Sequence, residues 1–206
     1  MQILLPARLV LSVITCVASA GCAPATFDLG VDALTGRAGA DLRTLTIGVV
    51  PNDARGSERL APEVGEKIER LLESNGYTVV SPDSADVLIL NGFGRGSSSE
   101  GLRGVLLPHG NMLGTFPASA GRDLPWLMLA IARATDIAGP EAQPQDVTWL
   151  WIAEVTSTGR SGEFHDIIDY MLIAAFEHFG RQTGRGAVVR LTVEDGRVAE
   201  LRGDGG

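Results

Sequence analysis

The chain has 206 residues, of which 17 are Lys or Arg and 25 are Asp or Glu, so its formal net charge is −8 at pH 7. This balance disfavours nucleic-acid binding, which needs basic side chains gathered against the phosphates. Both cysteines, Cys16 and Cys22, lie close to the start of the chain. We therefore expect no disulfide in the folded domain, whose stability then comes from its hydrophobic core.

The N-terminal segment has the features of a bacterial export signal. Residues 9–17 are apolar apart from Ser12 and Thr15, and Arg8 is the only basic side chain before them. The run is too short to span a bilayer, which takes about 20 apolar residues. It matches the apolar core of a secretory signal, and it ends in the small residues 18–21 before Cys22.

Residues 19–22 resemble the lipobox of bacterial lipoproteins, with Ser19 where that motif usually has leucine. The resemblance implies cleavage between Gly21 and Cys22 and attachment of acyl chains to Cys22, which would anchor the protein in a membrane. Two or more acyl chains anchor a protein stably. The next residue, Ala23, is not aspartate, which by resemblance to enterobacterial sorting implies the outer membrane, facing the periplasm.

Two other interpretations of the same segment remain open. Residues 18–20 form an Ala-Ser-Ala site, so cleavage after Ala20 would release a soluble periplasmic protein. The segment could also stay uncleaved. If residues 1–21 are removed, the chain loses Arg8 and no acidic residue, so the net charge moves from −8 to −9.

The rest of the chain divides into a tether and one domain. Residues 22–43 hold the lipidated cysteine and a stretch rich in Ala, Gly, Thr and Asp without a sustained period, which predicts a flexible tether. Its apolar residues, such as Phe27 and Leu29, leave partial order open. Residues 44–206 are long enough to bury the core of a single α+β globular domain.

The first half of this domain has a β-α-β pattern. Leu45, Ile47 and Val49 alternate with smaller or polar residues, which predicts a half-buried strand over residues 44–50. A helix follows, with Pro62 in its first turn and its end near residues 75–76. Residues 77–80 and 87–93 are predicted strands, and the second is apolar enough to be covered on both faces. Because β-α-β crossovers are right-handed, we expect this rule to determine the face of the sheet on which the helix lies.

The second half is predicted to be mainly antiparallel. The predicted elements are a loop at 94–104, a hairpin at 105–116, strands at 125–137 and 147–156, a helix at 164–179 and a closing hairpin of 187–193 with 197–201. The helix carries one wide apolar stripe and ends at Gly180. The predicted fold is α+β, with a mostly antiparallel β-sheet, two helices packed on one face, and a signal peptide and flexible tether before it.

No motif predicts a catalytic site, a cofactor or a metal. Residues 92–96 form a glycine-rich stretch, but Ser97 stands where a dinucleotide fingerprint needs its third glycine. Residues 156–162 are typical of a turn and helix cap, although free N–H groups there could bind an anion. His165 and Asp169 lie one helical turn apart, which predicts an exposed ion pair, since no third metal ligand has a recognisable spacing.

Four apolar side chains form the candidate partner or ligand surface. In strand alternation, Trp149 and Trp151 share one face, and Trp126 and Met128 lie opposite the neighbouring leucines. If both helices cover the face with the leucines and isoleucines, the tryptophans line the uncovered face. An exposed apolar patch there would mark a partner, lipid or ligand surface. The alternative is that the tether or residues 94–124 cover the patch as a second small core.

Several segments resemble a widespread family of bacterial envelope lipoproteins built on a domain of unknown function. They are GYTV at 76–79, ADVL at 85–88, GFG at 92–94, STGRS at 157–161 and AAFEHFG at 174–180. The resemblance implies a fold and an envelope location, and no activity. The function expected is therefore a non-enzymatic lipoprotein, anchored through Cys22, that binds or organises an envelope protein or lipid. The alternative is a periplasmic binding module for a small apolar or lipid ligand.

Overall fold

A mixed seven-stranded sheet with helices on one face forms the centre of the molecule. The computed structural model describes residues 25–36, 41–51, 60–96, 102–106, 112–117, 124–137, 146–158, 164–184 and 186–203. The predicted signal peptide, Gly21 and Cys22 lie outside these residues. The strands are β1 (Thr26–Thr35), β2 (Thr46–Val49), β3 (Thr78–Val79), β4 (Val87–Gly96), β5 (Leu102–Leu106), β6 (Met112–Pro117), β7 (Leu124–Arg133), β8 (Trp149–Ser157) and β9 (Ala187–Thr192). The helices are α1 (Ala61–Ser74), α2 (Ala134–Ile137), α3 (Phe164–Glu177) and α4 (Gly196–Arg202).

The sheet is mixed, which corrects the prediction of a mostly antiparallel one. Its strand order is β3-β2-β4-β7-β8-β1-β9, and β2 pairs in parallel with both β3 and β4. The four remaining pairs are antiparallel. The parallel part follows from the connection of β2 to β3 through α1, because a helix returns the chain to the end of the sheet from which it started. The α+β class is confirmed.

The first strand corrects the predicted tether. Residues 26–35 form β1, which hydrogen-bonds to β8 on one side and β9 on the other. Leu29, Val31 and Ala33 are at most 1% exposed, because every second residue of this strand faces the helices. The prediction missed this alternation because the intervening residues are Asp and Gly, which are depleted in strands. The strand ends at Gly36, where a Cβ atom would lie 1.7 Å from the carbonyl oxygen of Trp149.

Both predicted helices are present as α1 and α3, although α3 ends at Glu177 and not at residue 179, and the last element is a third helix on the same face. Residues 197–201 were expected to be a strand, but they belong to α4. The side chain of Asp195 accepts a hydrogen bond from the backbone N–H of Arg197, and Gly203 ends the helix in the left-handed conformation with φ 81°. Val198 and Leu201, three residues apart, face the core, as helical spacing requires.

The central strands were predicted more accurately than the loops. The hairpin of β7 and β8 and the separate hairpin of β5 and β6 are confirmed, but residues 134–137, predicted as the end of the first strand, form α2. The predicted loop over 94–104 is wrong at both ends, since β4 continues to Gly96 and β5 begins at Leu102. The reason is that β4 pairs with β7 as far as Gly96 and Leu124, and backbone hydrogen bonds extend the strand through glycines that local preference assigns to a loop.

A β-bulge in β8 separates two tryptophans that were expected to share a face. Ile131 pairs with Trp151 but Ala132 pairs with Trp149, so Leu150 is the additional residue. Trp151 consequently lies with Leu150 in the core beneath the helices, whereas Trp149 lies on the opposite face of the sheet. Trp151 is 0% exposed. Its indole N–H donates to the Arg181 carbonyl at 3.1 Å, and its ring lies 4.9 Å from that of Phe179.

A buried cluster of charged side chains links α1, α3 and α4. Lys67 of α1 and Asp169 of α3 are 3% and 2% exposed. The Lys67 ammonium donates to one oxygen of Asp169 at 2.6 Å, and the Arg202 guanidinium of α4 donates to the other at 2.6 Å. Glu63 also accepts from Lys67. Both oxygens of the buried carboxylate are therefore satisfied, as burial of a charge requires.

Trp151→Ala should destabilise the protein by about 3–5 kcal/mol, because it removes a fully buried indole and leaves a cavity. Trp149→Ala is the matched control and should cost clearly less, since this ring is only half-buried. Urea unfolding followed by circular dichroism measures both costs. Equal losses in the two variants would contradict the separation of the tryptophans by the bulge.

Lys67→Met should cost about 3 kcal/mol, because it leaves the buried Asp169 with one cation instead of two. The double variant Lys67→Met/Asp169→Leu should be more stable than the single variant, since it removes the stranded charge and Arg202 can turn to solvent. Glu63→Gln is the control and should change stability by less than about 1 kcal/mol, as its carboxylate is partly exposed. A double variant less stable than Lys67→Met would contradict this prediction, because it would show that the Asp169–Arg202 pair stabilises the fold without Lys67.

Candidate functional site

The four predicted surface residues do not form one exposed patch. Trp126, Met128 and Trp149 lie on the face of the sheet opposite the helices, as expected, while Trp151 lies on the helix face. Met128 is 0% exposed and both Trp126 and Trp149 are half-buried. Met128 and Trp151 are therefore not accessible to a partner. Of the four predicted residues, only Trp126 and Trp149 are partly exposed on the expected face.

Part of this opposite face is a second small core. Leu88, Leu90 and Ala130 pack there with Ile137 of α2 and with Val147. These five side chains are at most 7% exposed. A second small core therefore exists over β4 and β7, and it is formed with α2 and Val147, whereas the alternative expected the tether or residues 94–124 to form it. The more exposed part of this face lies further along the sheet, on β8, β1 and β9, where Val188 is 62% exposed.

An apolar strip crosses β8 and β1 beside this second core. It consists of Trp149, Ile152 and Leu34, which we call the outer strip. Leu34 and Ile152 are paired residues on adjacent strands, so their side chains lie next to each other on one face. Leu34 is 58% exposed, whereas Trp149 and Ile152 are half-buried. The sequence pattern missed Leu34, because its strand was assigned to the tether.

Charged residues border the outer strip. Asp32 and Glu154 form the next pair along β1 and β8 on the same face. Further along, Arg190 donates to Asp28 at 2.6 Å across β9 and β1, and this contact raises the pKa of Arg190. An apolar centre with a charged border is the usual composition of a protein-binding surface. The strip therefore has the composition of a contact site.

The predicted exposed pair of His165 and Asp169 is not present. Asp169 is buried and bonded to Lys67 and Arg202, while the exposed His165 lies 3.6 Å from the Glu63 carboxylate. The prediction failed because Asp169 faces α1 and α4 and not solvent. Tyr170, the next residue of α3, is likewise buried and stacks on Phe27 with ring centroids 4.1 Å apart.

The other candidate motifs place no chemistry in the described residues. Residues 92–96 continue β4 and are not a phosphate-binding turn. His109 and residues 159–163 lie outside the described ranges. Within those ranges no three His, Cys, Asp or Glu side chains are grouped to hold a metal ion. None of the helices that the structure describes is long and apolar enough to cross a membrane.

Two open grooves lie on the helical side of the molecule. The larger, of about 640 Å³, runs between α1, α3 and α4 and is lined by Leu71, Ile173 and Leu201, with charged residues among its neighbours. The smaller, of about 430 Å³, lies between the residues before β2 and the end of α3 and includes Tyr77 and Arg181. Both grooves are lined by Asn75 and Phe176, so they adjoin one another.

Two carboxylates outside the buried cluster have pKa values below their ordinary range. Hydrogen bonds from the backbone N–H and then the hydroxyl of Thr46 lower the pKa of Asp86. The Arg197 guanidinium, which donates to Asp195 at 2.8 Å, lowers the pKa of that carboxyl. Each of these acids holds the start of a strand or helix, so a structural role accounts for both shifts.

No family model matches the sequence, and no curated protein matches it. The fold is similar to that of a PDZ domain protein from Parabacteroides distasonis, with a TM-score of 0.52 and 17% sequence identity. That alignment covers 81% of this chain and 39% of the other, so the chain spans less than half the length of that protein. Two structures of a PelC dodecamer from Paraburkholderia phytofirmans are less similar, with TM-scores of 0.41, identities of 10% and 8%, and coverage of 75% of this chain and 99% of theirs. At these identities the similarity concerns the fold alone.

Proposed function

We propose that this protein is a lipid-anchored lipoprotein of the bacterial envelope, in the outer membrane facing the periplasm, and that it binds or organises another envelope component without catalysing a reaction. The apolar run ending at Cys22 supports the anchor. The outer strip is the observation that supports binding. Leu34 exposes 58% of its surface beside two further apolar side chains, and such a patch is stabilised when a partner covers it.

The alternative is a periplasmic binding module for a small apolar or lipid ligand. The observation in its favour is the groove between α1, α3 and α4, whose volume of about 640 Å³ falls in the range of ligand sites, about 300–1,000 Å³. However, the groove is open to solvent and has charged side chains at its edge, whereas most ligand sites enclose their ligand. Adducts in native mass spectra after incubation with lipid extracts would favour this alternative.

The anchor is tested by the intact mass of the protein recovered from a membrane fraction. We expect the mass of the chain from Cys22 onward plus acyl groups. A Cys22→Ser variant should lack both the acyl groups and the membrane association, because no thiol remains to carry them. An unmodified chain that begins at Gly21 in the soluble fraction would contradict the anchor and favour the periplasmic binding module.

The binding surface is tested by a photo-reactive amino acid placed at Leu34 in living cells. We expect a crosslinked product at this position, because the side chain lies where the partner would cover it. The matched control is Val193, which is similarly exposed at 47% but lies outside the outer strip. A crosslink of equal yield at both positions, or none at Leu34, would contradict the proposed surface.

A further inference from the structure

Very little chain separates the proposed lipid anchor from the folded sheet. Ala25 already belongs to the fold, because its carbonyl accepts a hydrogen bond of 3.1 Å from the N–H of Val193. Only Ala23 and Pro24 lie between it and Cys22. Three consecutive Cα–Cα steps reach at most about 11 Å. The Cα atom of an acylated Cys22 therefore lies within about 11 Å of the Cα atom of Ala25, at the end of the sheet.

The start of β1 cannot detach to lengthen this connection without disrupting the core. Thr26 pairs with Thr192, and Phe27 stacks on the buried Tyr170. On the other side of the strand, the N–H of Thr158 donates to the Asp28 carbonyl at 3.1 Å. Leu29, the next residue, is 0% exposed. Releasing these residues would break hydrogen bonds on both edges of the strand and expose apolar surface.

The strand pairing identifies which end of the sheet lies next to the anchor. The beginning of β1, the end of β9 and the end of β8 share one end, which we call the anchor end and define by Thr26, Val193 and Thr158. Leu34 lies eight residues further along β1, which corresponds to about 26 Å at 3.3 Å per residue. The outer strip is therefore at the other end of the strand.

We propose that the anchor end rests against the surface of the membrane in which Cys22 is anchored, and that the outer strip is held about 26 Å above it. This placement rests on the proposed lipid anchor. It follows from the length of the connection and needs no affinity of the protein surface for lipid. The anchor end then stays next to the membrane, and the outer strip faces a partner in the aqueous compartment.

The test uses the acylated full-length protein with one fluorophore attached to an introduced cysteine. Val193→Cys labels the anchor end and Leu34→Cys labels the far end, and both positions are exposed. Cys22, the sole cysteine after removal of residues 1–21, carries lipid and does not react. In phosphatidylcholine vesicles that contain a short-range quencher on their headgroups, we expect several-fold stronger quenching at Val193 than at Leu34. Equal quenching at the two positions would overturn the proposed orientation.

A variant with a longer connection is the matched control. A Gly-Ser linker of about 20 residues inserted between Ala23 and Pro24 extends the connection by about 25 Å. Quenching at Val193 should then fall to the level of Leu34. Unchanged quenching would overturn the conclusion that the short connection sets the orientation. The intact mass is measured on each sample: a chain without acyl groups contradicts the proposed anchor, whereas an acylated chain with equal quenching contradicts this inference alone.

Discussion

The insertion of β1 between β8 and β9 is the constraint on which the rest of the structure depends. Without it, β9 would have no neighbour in the sheet, and Leu29, Val31 and Ala33 would be missing from the core beneath the helices. The strand also carries both features on which the functional proposal depends, since its beginning lies next to the proposed anchor and its end carries Leu34. One ten-residue element thus links the attachment of the domain to its candidate binding surface.

The elements with the strongest local sequence patterns were the ones predicted correctly. The helix over 164–177 was predictable because its apolar stripe is wide, and the hairpin of β7 and β8 because both strands are long. Residues 26–35 were missed although their apolar residues alternate with Asp28, Gly30 and Asp32 as in a half-buried strand, because Asp and Gly are depleted in strands. The bulge at Leu150 was not predictable either, because it depends on pairing with a distant strand, and it moved Trp151 away from the surface.

The charged residues show why a motif near a helix is weak evidence for chemistry. His165 and Asp169 have the spacing of a functional pair, yet the structure gives each a different partner. Asp169 is held by Lys67 and Arg202, from two elements that local sequence could not place beside it. A buried carboxylate with both oxygens bonded in this way joins the helices that pack around it.

The position of β1 also dictates the order in which the domain can assemble. The Ala33 carbonyl accepts a hydrogen bond from the N–H of Thr183, 150 positions later in the chain, and β9 follows later still. Contacts this distant in sequence form slowly, because a long loop must close before they contribute any stability. In a chain synthesised from its N-terminus, the first strand emerges long before its neighbours. The apolar side chains of β1 therefore stay uncovered until the last strand is in place, which exposes the folding chain to aggregation.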